Sequence, residues 1–179
     1  IQSGSQGGMT TRPLIAVSLF GMPVGILGLA GAWSVGARIW QLPLAYAIGI
    51  GIFGVTVWLV LLVLYACKWH WYRAEALKEF RDPVQSSFVA LVLISTMLAS
   101  GQILQVSRPA GMALLGVSIV AQFALGIWLL GKVWQGGQGA DFVTPALYLP
   151  TVGQSFVAAS GAAALGWLQI GGVLFGWGV

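Results

Sequence analysis

The chain has 179 residues, 58% of them hydrophobic and only 7% charged, with a mean hydropathy of +0.91 and a formal net charge of +4. A soluble domain is about one quarter charged, so this composition excludes a water-covered surface and makes the chain an integral membrane protein. The small basic surplus lies between the apolar runs and calls for no nucleic-acid partner.

Residues 1–8, "IQSGSQGG", read as a tag or linker scar before a native start at Met9, which leaves 9–179 as a single transmembrane domain. The first predicted span covers residues 14–33. Its centre reads "FGMPVG": Pro23 removes a backbone hydrogen bond, and Gly21, Gly25 and Gly28 loosen what remains of the helix. Irregular backbone at that depth is tolerated only where protein buries it or where it lines a water-filled cavity. The second span, 43–67, is smooth, with its proline at the start. After it comes "KWHWYRAEALKEFRDP", whose tryptophans and tyrosine belong at the headgroup level and whose His70 reads as an interfacial residue. Cys67, the lone cysteine, reads as a small apolar residue and permits no internal disulfide.

The third span, 86–106, carries Ser95 and Thr96 near mid-depth, and the fourth, 109–131, is again smooth. The fifth, 146–167, is broken by "YLPTVGQS", which contains Pro150, Thr151, Gln154 and Ser155. A sixth apolar run starts near Ile170 and stops at Val179, so the chain is expected to be a truncated piece. Continuous runs of about twenty residues suit helices crossing about 30 Å of hydrocarbon and exclude a β-barrel, whose strands would alternate.

With the N-terminus inside, Arg12, Lys68, Arg73, Lys78, Arg81 and Lys132 are cytoplasmic and only Arg38 and Arg108 are outside, so the positive-inside rule sets that orientation. No Asp, Glu, Lys, Arg or His falls within the five predicted spans. Catalysis needs a nucleophile, base or metal ligands close together, and the sequence offers none, nor any cofactor motif. The odd spans are polar or broken and the even ones plain, so odd helices are expected to ring a cavity and even helices to face lipid. The rival reading is close packing alone, through small-xxx-small pairs such as Gly21 with Gly25 and Ala158 with Ala162.

Four stretches in register carry a resemblance: "FGMPVGILGLAGAW" (20–33), "RAEALKEFRDPVQSSFVALVLISTML" (73–98), "WQGG" (134–137) and "TPALYLPTVGQSFVAAS" (144–160). They resemble the tellurite-resistance/dicarboxylate transporter family, which includes TehA-like bacterial proteins and the plant slow-type anion channels. The resemblance implies an all-α membrane protein of ten helices, five antiparallel hairpins around a central pore, assembled as a homotrimer. Five and a half of those spans lie in this chain. Pro23 and Pro150 match the family's kink prolines, Leu93 stands where bacterial relatives carry a proline, and the gating phenylalanine lies in a ninth helix beyond Val179. The implied pore lining is Phe20, Gly21, Pro23, Gly25, Gly28, Ser95, Thr96, Pro150, Thr151, Gln154 and Ser155.

The expected activity is passive conduction of small inorganic anions, nitrate over chloride, because a pore without fixed charge binds weakly and releases readily. The rival within transport is a carrier of C4-dicarboxylates such as malate, or a tellurite-linked transporter. A doubly charged substrate calls for Arg or Lys in the pathway, and the spans hold none. A rival of another class is a membrane scaffold that passes nothing. Short inner loops are expected of a bacterial inner-membrane protein.

Overall fold

In hydrocarbon an apolar run can satisfy its backbone only as a helix. The computed structural model describes residues 16–74, 76–77, 83–134 and 152–179. A 3-10 turn at Val17–Phe20 leads into α1 (Gly21–Trp40), followed by α2 (Leu44–Trp71), α3 (Pro83–Ile103), α4 (Arg108–Trp134), α5 (Gln154–Ala164) and α6 (Leu168–Trp177). The fold is all-α, with no strand among the described residues.

Pro23 does not bend the middle of a span. It sits in the first turn of α1, directly behind the 3-10 turn rather than at mid-helix. The change of winding falls at the junction of Phe20 and Gly21, where the 3-10 turn opens into the α-helix. Pro23→Ala is therefore expected to leave helical content by circular dichroism unchanged. It should cost about 1–2 kcal/mol in thermal unfolding, from the ring carbons lost at a buried site.

Instead of ending near Trp33, α1 continues to Trp40. Ser34 is accommodated because its hydroxyl donates to the Ala30 carbonyl at 2.8 Å. Gln41, in the left-handed region at φ 54°, caps the helix with its N–H on the Ala37 carbonyl, and Pro43 follows. The connection to α2 is thus residues 41–43, much shorter than the expected loop at 34–42. Trp33 closes this hairpin by donating Nε1–H to the Pro43 carbonyl at 3.3 Å and packing edge-on against Tyr46.

The 28 residues of α2 reach about 42 Å, beyond the hydrocarbon thickness. The helix passes Cys67, so Lys68 lies in its last turn, buried at 3% exposure.

Successive helices pack as hairpins (α1 with α2, α3 with α4, α5 with α6), and α3 also meets the 3-10 turn, α1, α2 and α5. Helix α3 is 61% buried across its apolar window, against 28% for α1, 22% for α2 and 33% for α4. Within this chain α1 is thus about as open as α2 and α4, and α3 is the most enclosed. Glycine packing also differs from expectation. A Cβ on Gly54 of the smooth α2 would lie 2.7 Å from Leu27, and one on Gly51 would lie 2.5 Å from Gln102. No described residue comes within 4 Å of a Cβ built at Gly25, Gly28 or Gly31. Small-residue packing does join α5 to α6, where Gly171 lies against the Ala159 carbonyl.

Candidate functional site

Polar side chains buried between the helices mark the site, because an unpaired polar group in a dry interior is costly. Helix α3 supplies Ser95, Thr96 and Ser100, all buried. Each hydroxyl hydrogen is already committed within its own helix. Ser95 donates to the Val92 carbonyl at 2.9 Å, Thr96 to the same carbonyl at 2.6 Å, and Ser100 to the Met97 carbonyl at 2.6 Å. A hydroxyl has one hydrogen, so none of these can donate to an anion while that bond persists. Thr96 also accepts the Trp58 Nε1–H at 3.1 Å, which ties α2 to α3. Ser95 and Thr96, both expected in the pore lining, thus spend their hydroxyl hydrogens inside α3, and Thr96 also makes the α2–α3 contact.

Phe20 is fully buried in a cluster with Val17, Leu27, Trp58, Leu91, Val92 and Ala99, and meets the Tyr65 ring edge-on at 5.7 Å. Pro23 is buried as well. Gly25 is exposed, and Gly21 and Gly28 are partly so, one above the other on a single face of α1. The structure thus separates the first-span residues into a packed pair, Phe20 and Pro23, and an open glycine face.

Pro150 and Thr151 lie outside the described residues. Residues 152–153 form a π-type turn, a local widening frequent at functional sites. Gly153 caps α5 without a side-chain hydrogen bond. Gln154 and Ser155 are buried at this helix start, and the Gln154 Oε1 has no partner among the described residues.

The sequence reading passed over α4 as plain. The structure turns Ser118 and Gln122 inward on one face of it. Ser118 donates to the Leu114 carbonyl at 2.6 Å. Gln122 is 1% exposed, and neither its Oε1 nor its Nε2 has a partner among the described residues. The spacing "SIVAQ" puts these two polar residues one turn apart, the signal that was available.

The arrangement defines a multi-pass helical membrane protein with an uncharged polar layer among α3, α4 and α5. The voltage-dependent anion channel (SLAC1) family model matches residues 15–179, so the chain belongs to that family. It is 30% identical over 171 residues to the tellurite resistance protein TehA homolog of Haemophilus influenzae, a match covering 94% of this chain and 52% of that protein. The chain therefore spans about half the length of this curated relative.

Proposed function

We propose that the protein, as a whole polypeptide, passes small monovalent anions such as nitrate and chloride across a membrane. The observation that carries this reading is the buried layer at Gln122 and Gln154, which is polar yet holds no charged side chain among the described residues. Such a layer can replace part of an anion's hydration shell without trapping the ion. The N-terminal end of α5, the positive end of its dipole, adds an attraction for negative charge. The open glycine face of α1 at Gly21, Gly25 and Gly28 suits the wall of such a path, because a helix without side chains leaves room for an ion.

In this reading the N-terminus is cytoplasmic, as the distribution of Lys and Arg favours, and the membrane is a bacterial inner membrane. The assembly is a homotrimer with one path per subunit. Tellurite resistance belongs to the Haemophilus relative's name and would follow here only as a secondary consequence of anion passage.

The test is the reversal potential of the complete protein in planar bilayers, with potassium chloride on one side and potassium nitrate or malate on the other. Current reversing near the anion equilibrium potential, with nitrate favoured, is the expected result. Malate flux without chloride current would make the protein a dicarboxylate carrier. Silence in every gradient, from folded protein, would leave a scaffold.

A further inference from the structure

A groove of about 390 Å³ opens between the start of α2 and the end of α3. Its apolar part is lined by Ile48, Ile52 and Val55 of α2 and Ile103 of α3. From Ile48 to Thr56 it runs about 12 Å along α2. The deep end offers no hydroxyl hydrogen, because Thr56 donates to the Ile52 carbonyl at 2.8 Å. Gln102, Gln105 and Ser107 gather at the other end, where α3 gives way to α4. Gln105 is turned back onto Gln102, Nε2 to Oε1 at 3.3 Å, which leaves Ser107 as the hydroxyl of the rim. Ile52 and Val106 are exposed, so the groove opens away from the described helices.

The charge at this end of the bundle is one-sided. Arg108, next to Ser107, is exposed and starts α4, whose first turn holds no acid. A cation at the positive end of a helix dipole is unfavourable unless an anion joins it. The four acids of the sequence, Glu75, Glu79, Asp82 and Asp141, all fall between α2 and α3 or between α4 and α5. The α1–α2, α3–α4 and α5–α6 connections contain none, so the chain brings no carboxylate to Arg108 from them.

We propose that this groove binds one anionic phospholipid of the surrounding membrane. An acyl chain lies along Ile52 and Val55, and the phosphate meets the Arg108 guanidinium, which can donate two parallel hydrogen bonds to it, with the Ser107 hydroxyl beside it. The order of the wall, polar and basic at the rim and apolar in depth, matches a phospholipid. A small water-soluble anion would gain nothing from the isoleucines. A further helix, about 10 Å across, would fill roughly twice the groove's volume over the same length, whereas a single acyl chain is slim enough to enter. The inference does not depend on what the protein conducts.

Native mass spectrometry of the complete protein tests it, in detergent supplied with phosphatidylglycerol or with phosphatidylcholine of the same chain length. The wild type should retain one tightly held phosphatidylglycerol per chain and hold phosphatidylcholine more weakly. Arg108→Gln should weaken phosphatidylglycerol binding about fivefold, the worth of one arginine near an anionic surface, and erase the preference. Ile52→Trp, which fills the groove with an indole, should lose that lipid whichever head it carries. Arg38→Gln removes the same charge from the last turn of α1, outside the groove wall, and Val60→Trp adds the same ring at an exposed position further along α2. Both should bind lipid as the wild type does.

Equal binding of the two lipids by the wild type would overturn the proposal. So would equal losses in Arg108→Gln and Arg38→Gln, which would reduce the effect to net charge. An Ile52→Trp protein that keeps its lipid would place that lipid elsewhere. If Ile52→Trp unfolds while Val60→Trp stays folded, the groove is covered by protein, from beyond Val179 or from a second copy, and the lipid assignment fails.

Discussion

Alanine at Gly111 is expected to unseat the α3–α4 hairpin. A Cβ there would lie 2.7 Å from the Leu104 backbone nitrogen and 2.8 Å from its Cα. Backbone atoms at the end of α3 cannot rotate aside as a side-chain tip can. The turn is already tied by the Ser107 N–H on the Ile103 carbonyl at 2.8 Å and the Gly111 N–H on the Ser107 carbonyl at 3.0 Å. Overpacking of this kind costs about 1–3 kcal/mol, and the better helix propensity of alanine returns at most about 1 kcal/mol, so the steric term wins. Thermal unfolding in detergent should show the loss. Gly116→Ala is the internal control. It lies in the same helix with nothing within 4 Å of its Cβ position, so alanine there should be neutral or mildly stabilising. Equal effects at both sites would mean that the loss comes from helix propensity and not from the hairpin. The consequence reaches the site, because α4 carries the buried Ser118 and Gln122.

Trp58→Ala should be the most damaging single truncation in the α1–α2–α3 core. The ring is buried among Phe20, Leu27 and Val92, and between helices in lipid the gain comes from packing rather than from escape from water. Removing a buried tryptophan costs about 3–5 kcal/mol through the cavity and lost contacts. Trp58→Phe separates the two contributions. It keeps most of the ring and deletes the Nε1–H bond to Thr96, so its cost should be about 1 kcal/mol, the usual size of an interhelical hydrogen bond. A double-mutant cycle with Thr96→Val gives the coupling directly. Zero coupling would mean that the 3.1 Å contact contributes nothing and that Thr96 serves only its own helix.

Helix class and membrane placement were legible from the apolar runs alone. A span needs length and hydrophobicity, and both are properties of the linear chain. The stretch at 14–33 nevertheless misled about where α1 ends, because apolar character fades at the headgroups while the helix continues through Ser34 to Trp40 on backbone bonds that composition does not record. Pro23 misled in the same way. A proline looks like a break wherever it occurs in a run, and only the structure places this one in the first turn of α1 rather than at mid-helix.

Three things the linear chain could not carry. In helices apolar on every side, periodicity does not say which face turns inward, so the central place of α3 and the inward turn of Ser118 and Gln122 were hidden. Hydrogen-bond satisfaction is a matter of ångströms, so the sequence could offer Ser95 and Thr96 as donors when their hydrogens were already spent. Glycine reads alike whether it packs or opens, and contact with Leu27 separates Gly54 from the open Gly25 and Gly28. The sequence by itself determined that the chain is a bundle of membrane helices, because burial in lipid demands only length and apolarity. The tertiary structure alone decided which polar groups remain unpaired inside, because pairing depends on which faces meet.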